Sequence, residues 1–148
     1  MGDLSALLED PLAHRALDAL VRAESRLTRR LSSDLERRGI SGTGFSMLVV
    51  LESAGGRIEL RALRQRLGVS KGNASEVLST LARRGFVRRE ASERDRRALT
   101  VWLTRAGKRL LDELFPSHAT RVRDAFTHLD EHEKRELVRL CRKLDRDT

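Results

Sequence analysis

Residues 67–90 read Leu67-Gly68-Val69-Ser70-Lys71-Gly72-Asn73-Ala74-Ser75-Glu76-Val77-Leu78-Ser79-Thr80-Leu81-Ala82-Arg83-Arg84-Gly85-Phe86-Val87-Arg88-Arg89-Glu90. A short helix is predicted over residues 59–67, burying Leu60, Leu63 and Leu67. Gly68 follows it and supplies the left-handed backbone that a sharp turn needs. Ser70 is placed to cap a second helix over residues 71–84, which Gly85 closes. On a wheel at 100° per residue, Ala74, Val77, Leu78 and Leu81 fall within one arc and face a core. Opposite them lie Gly72, Glu76, Ser79 and Arg83, flanked by Asn73, Ser75 and Thr80. A solvated helix face would favour longer Glu and Lys side chains, whereas this outer face is small and polar.

Downstream, two segments alternate with period 2: residues 86–89 and residues 99–103. The polar, charged residues 90–98 between them have the composition of an exposed hairpin loop. A helix–turn–helix followed at once by a β-hairpin is a winged helix. Upstream, a helix following Thr43 carries Phe45, Leu48, Val49 and Leu51 and ends at Gly55-Gly56. Before that, Asp10-Pro11 opens a long helical pattern with proline pre-set for the first turn. Its stripe of Leu17, Leu20, Leu27, Leu31 and Leu35 is interrupted at Glu24 and stopped at Gly39. Such a helix measures about 40 Å, too long for one chain of this size to cover. Beyond the hairpin, Thr104 caps a helix bearing Leu110, Leu111 and Leu114, which Pro116 is expected to kink or break. Asp130 and Glu133 form a capping-box start to a last helix with Leu137, Leu140, Cys141 and Leu144 on its stripe. The predicted fold is mainly α with a small β-wing, a single domain across residues 1–148.

Charge is distributed unevenly. Residues 57–109 hold 15 basic and 5 acidic side chains, a local net of +10, and the rest of the 148 residues sum to −2. A GC-rich coding bias accounts for 26 Arg against 4 Lys, but not for balanced flanks around an unbalanced centre. A positive excess confined to one folded stretch is the footprint of a polyanion, most often nucleic acid. With 39% apolar and 35% charged residues, the composition is that of a soluble globular protein. The longest apolar run, residues 47–51, is far too short for a bilayer, and the acidic N-terminus is unlike a secretory signal. Ala6 stands where a myristoylation motif wants Ser or Thr. One cysteine suits a reducing compartment, so a cytoplasmic location without membrane association is expected.

The chemistry of DNA reading fits these residues. Small side chains admit close approach to a major groove, and hydroxyl and amide groups pair with base edges. The helix N-terminus presents free N–H groups to a phosphate. Ser70, Lys71, Gly72, Asn73, Ser75, Glu76, Ser79, Thr80 and Arg83 are therefore candidates for contact with double-stranded DNA. Arg94, Arg96 and Arg97 in the loop can enter a minor groove. Asp95 repels DNA and is assigned to shaping the wing by pairing with a neighbouring arginine. Other readings are a non-specific architectural or RNA-binding protein, and a winged helix for protein partners, which the +10 centre disfavours. An enzyme is not expected: there is no Gly-rich phosphate loop, no HExxH and no nucleophile–histidine set. No cofactor is expected.

Residues 67–75 and 81–89, together with Asp95-Arg96-Arg97-Ala98 and Leu103-Thr104-x-x-Gly107, resemble the MarR (multiple antibiotic resistance regulator) family along nearly the whole chain. The resemblance implies a homodimeric winged-helix transcription factor, with repression the expected direction. It implies dimerisation helices in residues 1–38 and 104–148 about a DNA-binding region at 40–103, and a near-palindromic operator. It maps Arg97 to the wing arginine and Asp95 to its partner. Relatives often release DNA on meeting a small anionic or phenolic molecule, a metal or an oxidant. His14, Arg15, Met47 and His118 are the effector-binding candidates here. A metal is not expected, because Asp130 begins a helix between His128 and His132 and spoils their shared face. Cys141 lies on an apolar stripe, where a free cysteine acts as a small buried hydrophobe.

Overall fold

The computed structural model describes residues 9–146. In chain order the elements are α1 (Pro11–Arg37), α2 (Gly42–Ser53), β1 (Arg57–Glu59), α3 (Leu60–Leu67), α4 (Lys71–Arg83), β2 (Val87–Ala91), β3 (Leu99–Leu103), α5 (Arg105–Ala125) and α6 (Glu131–Asp145). The caps explain most boundaries. Asp10 accepts from the Ala13 N–H at 2.9 Å, with Pro11 in the first turn. Ser41, not Thr43, caps α2 by accepting from the Gly44 N–H at 3.0 Å, so that helix starts earlier than predicted. Gly68 adopts φ 62° at the end of α3, as the turn requires. Asp130 and Glu133 close a reciprocal capping box at 2.8 Å in each direction.

Three further points differ from the sequence reading. Residues 57–59 form a strand, β1, and Glu59 is the N-cap of α3 rather than its first residue. Three residues are too few for period-2 alternation to register, and pairing with β3 is what makes them extended. The sheet order is β1-β3-β2, all antiparallel, with Arg57 opposite Trp102 and Val87 opposite Leu103. β2 begins one residue later than predicted and runs two residues further toward the loop, because Glu90 and Ala91 pair with Thr100 and Leu99. Finally, α5 runs continuously through Pro116. Proline there removes the donor for the Asp112 carbonyl, but both residues are exposed and water can take its place. The helix is also held on both sides of the proline. Leu110, Leu111 and Leu114 are buried before it, and Ser117 and Arg121 both bond Asp34 of α1 after it.

The core gathers around α2. Phe45, Met47, Leu48 and Leu51 meet Leu63, Ala74, Leu78, Leu81, Val87 and Val101, with α5 and the end of α1 closing the side. At ~25 cal/mol per Å² of apolar surface, burial of this set is the main source of stability. Of α1 only Leu35 is buried, and of α6 nothing is. Leu12 is 71% exposed, Leu17 58% and Leu144 67%. Cys141 is exposed rather than buried. Its stripe is apolar as read, but Leu137, Leu140 and Leu144 beside it are exposed as well. No helix among the described residues is long and apolar enough to cross a membrane.

Candidate nucleic-acid interface

α4 is seated by Ala74 and Leu78, both fully buried, and by Leu81. Val77 on the same arc is half-buried against the core. Ser70 caps the helix by accepting from the Asn73 N–H at 3.2 Å. Lys71, Gly72, Asn73, Ser75, Glu76 and Arg83 form its exposed side. A Cβ built at Gly72 meets nothing within 4 Å, so the fold itself makes no demand for glycine there. Ser79 and Thr80 differ from the expected open face: both are half-buried and engaged within the chain. Ser79 Oγ accepts from Arg89 of β2 at 3.3 Å. Thr80 Oγ1 donates to the Glu76 carbonyl at 3.2 Å and accepts from Arg83 at 3.3 Å. The open polar face is thus concentrated in the N-terminal half of α4, with the two hydroxyls on its flank.

The wing is the loop of residues 92–98 between β2 and β3. The Ser92 N–H donates to the Ala98 carbonyl at 2.8 Å, and the Ala98 N–H to the Asp95 carbonyl at 3.0 Å. Asp95 shapes the loop, though not by pairing with a guanidinium: its carboxylate accepts from the Arg97 backbone N–H at 2.9 Å. A carboxylate two residues back from a backbone donor is the geometry of an Asx turn. This leaves the side chain of Arg97 uncommitted. Arg94, Arg96 and Arg97 are all exposed, and none forms an ion pair among the described residues. Elsewhere on the chain exposed arginines do pair with carboxylates, as Arg38 does with Glu113 at 2.6 Å and Arg135 with Glu131 at 3.0 Å. Unpaired cations at a loop tip are available to phosphates.

Sequence reading passed over the residues that join these two parts. Arg89 ties β2 to α4 through Ser79. On the outer face of the sheet, Arg57 and Arg88 lie either side of Trp102, each guanidinium 5.3 Å from the ring. That row depends on β1, whose three residues gave no readable pattern.

A profile of the MarR family matches residues 38–98. The chain is 34% identical over 110 residues to the HTH-type transcriptional regulator YkoM of Bacillus subtilis, covering 74% of this chain and 71% of that one. It is 33% identical over 122 residues to the transcriptional repressor MprA of Escherichia coli, covering 82% and 69%. The chain belongs to the MarR family. Its fold superposes on Sco3205, a MarR family regulator from Streptomyces coelicolor solved in complex with DNA, with a TM-score of 0.83 at 24% identity, over 93% of this chain and 88% of that one. As a MarR-family protein it is a DNA-binding winged-helix transcriptional regulator and not an enzyme.

Within this MarR-family chain the four effector candidates separate. Met47 is fully buried in the core and lines neither of the clefts at His118. Its position beside apolar neighbours on α2 is a packing position. His14 and Arg15 sit exposed in the first turns of α1, away from the cleft residues. His118 lies at the junction of α1, α2 and α5. It borders one cleft of about 310 Å³ with Asp34, Arg38 and Arg121, and another of about 360 Å³ with Thr28, Thr43 and Ser46. Its ring packs 4.6 Å from that of Phe45, and its Nδ1 is buried without a hydrogen-bond partner. Burial, then the nearby Arg121 charge, hold its pKa below the ordinary histidine value. Asp34 and Arg121, which pair across this junction and line the first cleft, are residues that the sequence alone did not single out. The signal was present only as a charge pair 87 positions apart. Between His128 and His132, Asp130 is the N-cap of α6, so the two histidines do not share a helix face.

Proposed function

We propose that this regulator acts as a homodimeric repressor, reading a near-palindromic operator with two copies of α4 and two wings. The observation that carries the reading is the basic surface formed by the outer side of α4 and the unpaired arginines of the wing. In this reading Lys71, Gly72, Asn73, Ser75 and Glu76 approach base edges in the major groove, with Ser70, Ser79, Thr80 and Arg83 alongside. Arg94, Arg96 and Arg97 enter the flanking minor groove, and Asp95 holds the loop that carries them. The apolar stripes of α1 and α6, exposed in the single chain, support a second copy as their cover. Residues 1–38 and 104–148 then supply dimer contacts, and 40–103 the reading head. Repression is supported by the likeness to the repressor MprA. The clefts around His118, with Arg38 and Arg121 at hand, suit a small anionic or phenolic effector.

The test is selection of bound sequences from a random duplex library by the purified protein at near-physiological salt. A near-palindrome should be enriched, and its affinity should fall with log salt at about −0.9 per phosphate contact. Salt-sensitive binding with no enriched motif would replace this reading with a non-specific architectural role. In a second step, 4-hydroxybenzoate or a similar phenolic acid should weaken operator binding by wild type and not by Arg121→Ala.

A further inference from the structure

The end of α1 and the end of α4 meet at one side chain. α1 stops at Arg37, and the chain turns through Arg38 and Gly39, where φ reaches 68°. Just past the last helical residue, Arg84, the C-cap of α4, holds the turn: its guanidinium bonds the Gly39 carbonyl, and Nη2 bonds the Arg38 carbonyl at 3.0 Å. The same guanidinium lies 4.9 Å over the Phe86 ring, which steers it back toward α1. Gly39 makes room for it, since a Cβ there would stand 3.1 Å from Arg84 Nη1. The backbone of Arg38 is thereby fixed to the reading helix, while its side chain pairs with Glu113 of α5 at 2.6 Å. One turn of chain is clamped by both the reading head and the dimerisation helices.

We propose that Arg84 is a positioning residue that sets the angle of α4 against α1 and so fixes the spacing between the two half-sites the dimer accepts. This inference rests on the dimeric operator reading above. Planar guanidinium suits the task because it bonds two carbonyls at once in a fixed plane. Adding one base pair between half-sites shifts the second by about 3.4 Å and rotates it by about 35°, a change that rigidly held heads cannot follow. A clamp that loosens lets them follow, at reduced affinity for the preferred spacing.

The experiment uses the full chain and the selected operator, with the central spacer shortened or lengthened by one base pair. Wild type should discriminate against the altered spacers by about tenfold or more. Arg84→Met keeps the aliphatic stem on Phe86 and removes both donors. It should bind the preferred spacing more weakly and cut the discrimination to about threefold or less. Arg84→Lys, with one flexible donor group, should fall between, and it stands in for the test where Arg84→Met does not fold. Because the readout is a ratio between operators, loss of active protein leaves it unmoved. An unchanged ratio with uniformly weaker binding would overturn the inference, leaving Arg84 as a phosphate contact or a fold contact. Wild type without any spacing preference would instead overturn the dimeric operator reading, and this inference with it.

Discussion

Gly72 and His118 each show how one residue couples packing to function. Gly72 sits in the first turn of α4 with open space where a Cβ would be. Gly72→Ala should therefore leave the fold intact, or stabilise it by up to about 1 kcal/mol from helix propensity. On the proposed reading the same methyl group enters the space that DNA takes, so operator affinity should fall by about tenfold. Parallel thermal melts and operator titrations check the pair, and unchanged affinity would remove Gly72 from the interface. His118 is less basic in the folded chain than in the unfolded one, through burial and then the Arg121 charge. Its buried Nδ1 has no acceptor for a second proton. An unfolded histidine binds protons more readily, so acid favours the unfolded chain. Stability from this residue is intact above about pH 6.5, is lost as pH falls through that value, and levels off below the folded pKa. The side chain is only partly buried, so the effect is modest. His118→Gln should flatten that step in chemical denaturation between pH 7.5 and roughly pH 5.

At the scale of elements, the entry to α5 is a junction of close backbone approach. Thr104 Oγ1 donates to the Gly85 carbonyl at 2.6 Å and accepts from the Gly107 N–H at 3.1 Å. A Cβ at Gly107 would run into the Phe86 carbonyl and the Leu103 side chain. Gly107 is therefore required by close approach rather than by backbone conformation, since its φ is not positive. Gly107→Ala should destabilise the protein by about 1–3 kcal/mol through overpacking, read as a lower denaturation midpoint. This junction shows how much of the fold was legible. Leu103-Thr104-x-x-Gly107 was visible as a motif, and Thr104 as a cap followed from residue type alone. What the glycine avoids was not visible, because the carbonyl it faces belongs to Phe86, on another element. The same holds for Asp95: its role in shaping the wing was readable, but its partner proved to be a backbone N–H rather than a guanidinium.

For the whole molecule, the unbalanced feature is the apolar surface left open on α1 and α6. Leu12, Leu17, Leu20 and Val21 on one helix, and Leu137, Val138, Leu140 and Leu144 on the other, are all exposed in the single chain. A second copy that covers them adds their burial to the stability of the fold, which makes melting depend on protein concentration. The melting temperature should rise with concentration for wild type. Leu137→Glu with Leu140→Glu should yield a monomer by sedimentation, with operator affinity reduced by about a hundredfold or more as the second reading head is lost. A wild-type monomer at micromolar concentration would contradict the dimer.

Local chemistry settled much of this protein before any coordinate was known. Capping residues, glycine turns and helical periodicity act within a few positions of sequence, so Asp10-Pro11, Gly68, Ser70, Thr104 and the Asp130–Glu133 box marked the elements correctly. The concentration of positive charge in residues 57–109 is additive along the chain and needed no folding to be seen. Only the tertiary structure decided what depends on distant partners. It made residues 57–59 a strand by pairing them with β3, and carried α5 through Pro116 on contacts from both sides. It buried Met47, left Cys141 exposed, and tied Ser79 of α4 to Arg89 of β2. It also brought Arg84 to the end of α1, 45 residues away in sequence, where its guanidinium bonds the Gly39 carbonyl. Such contacts are set by the geometry of packed elements, and no short window of sequence contains both partners.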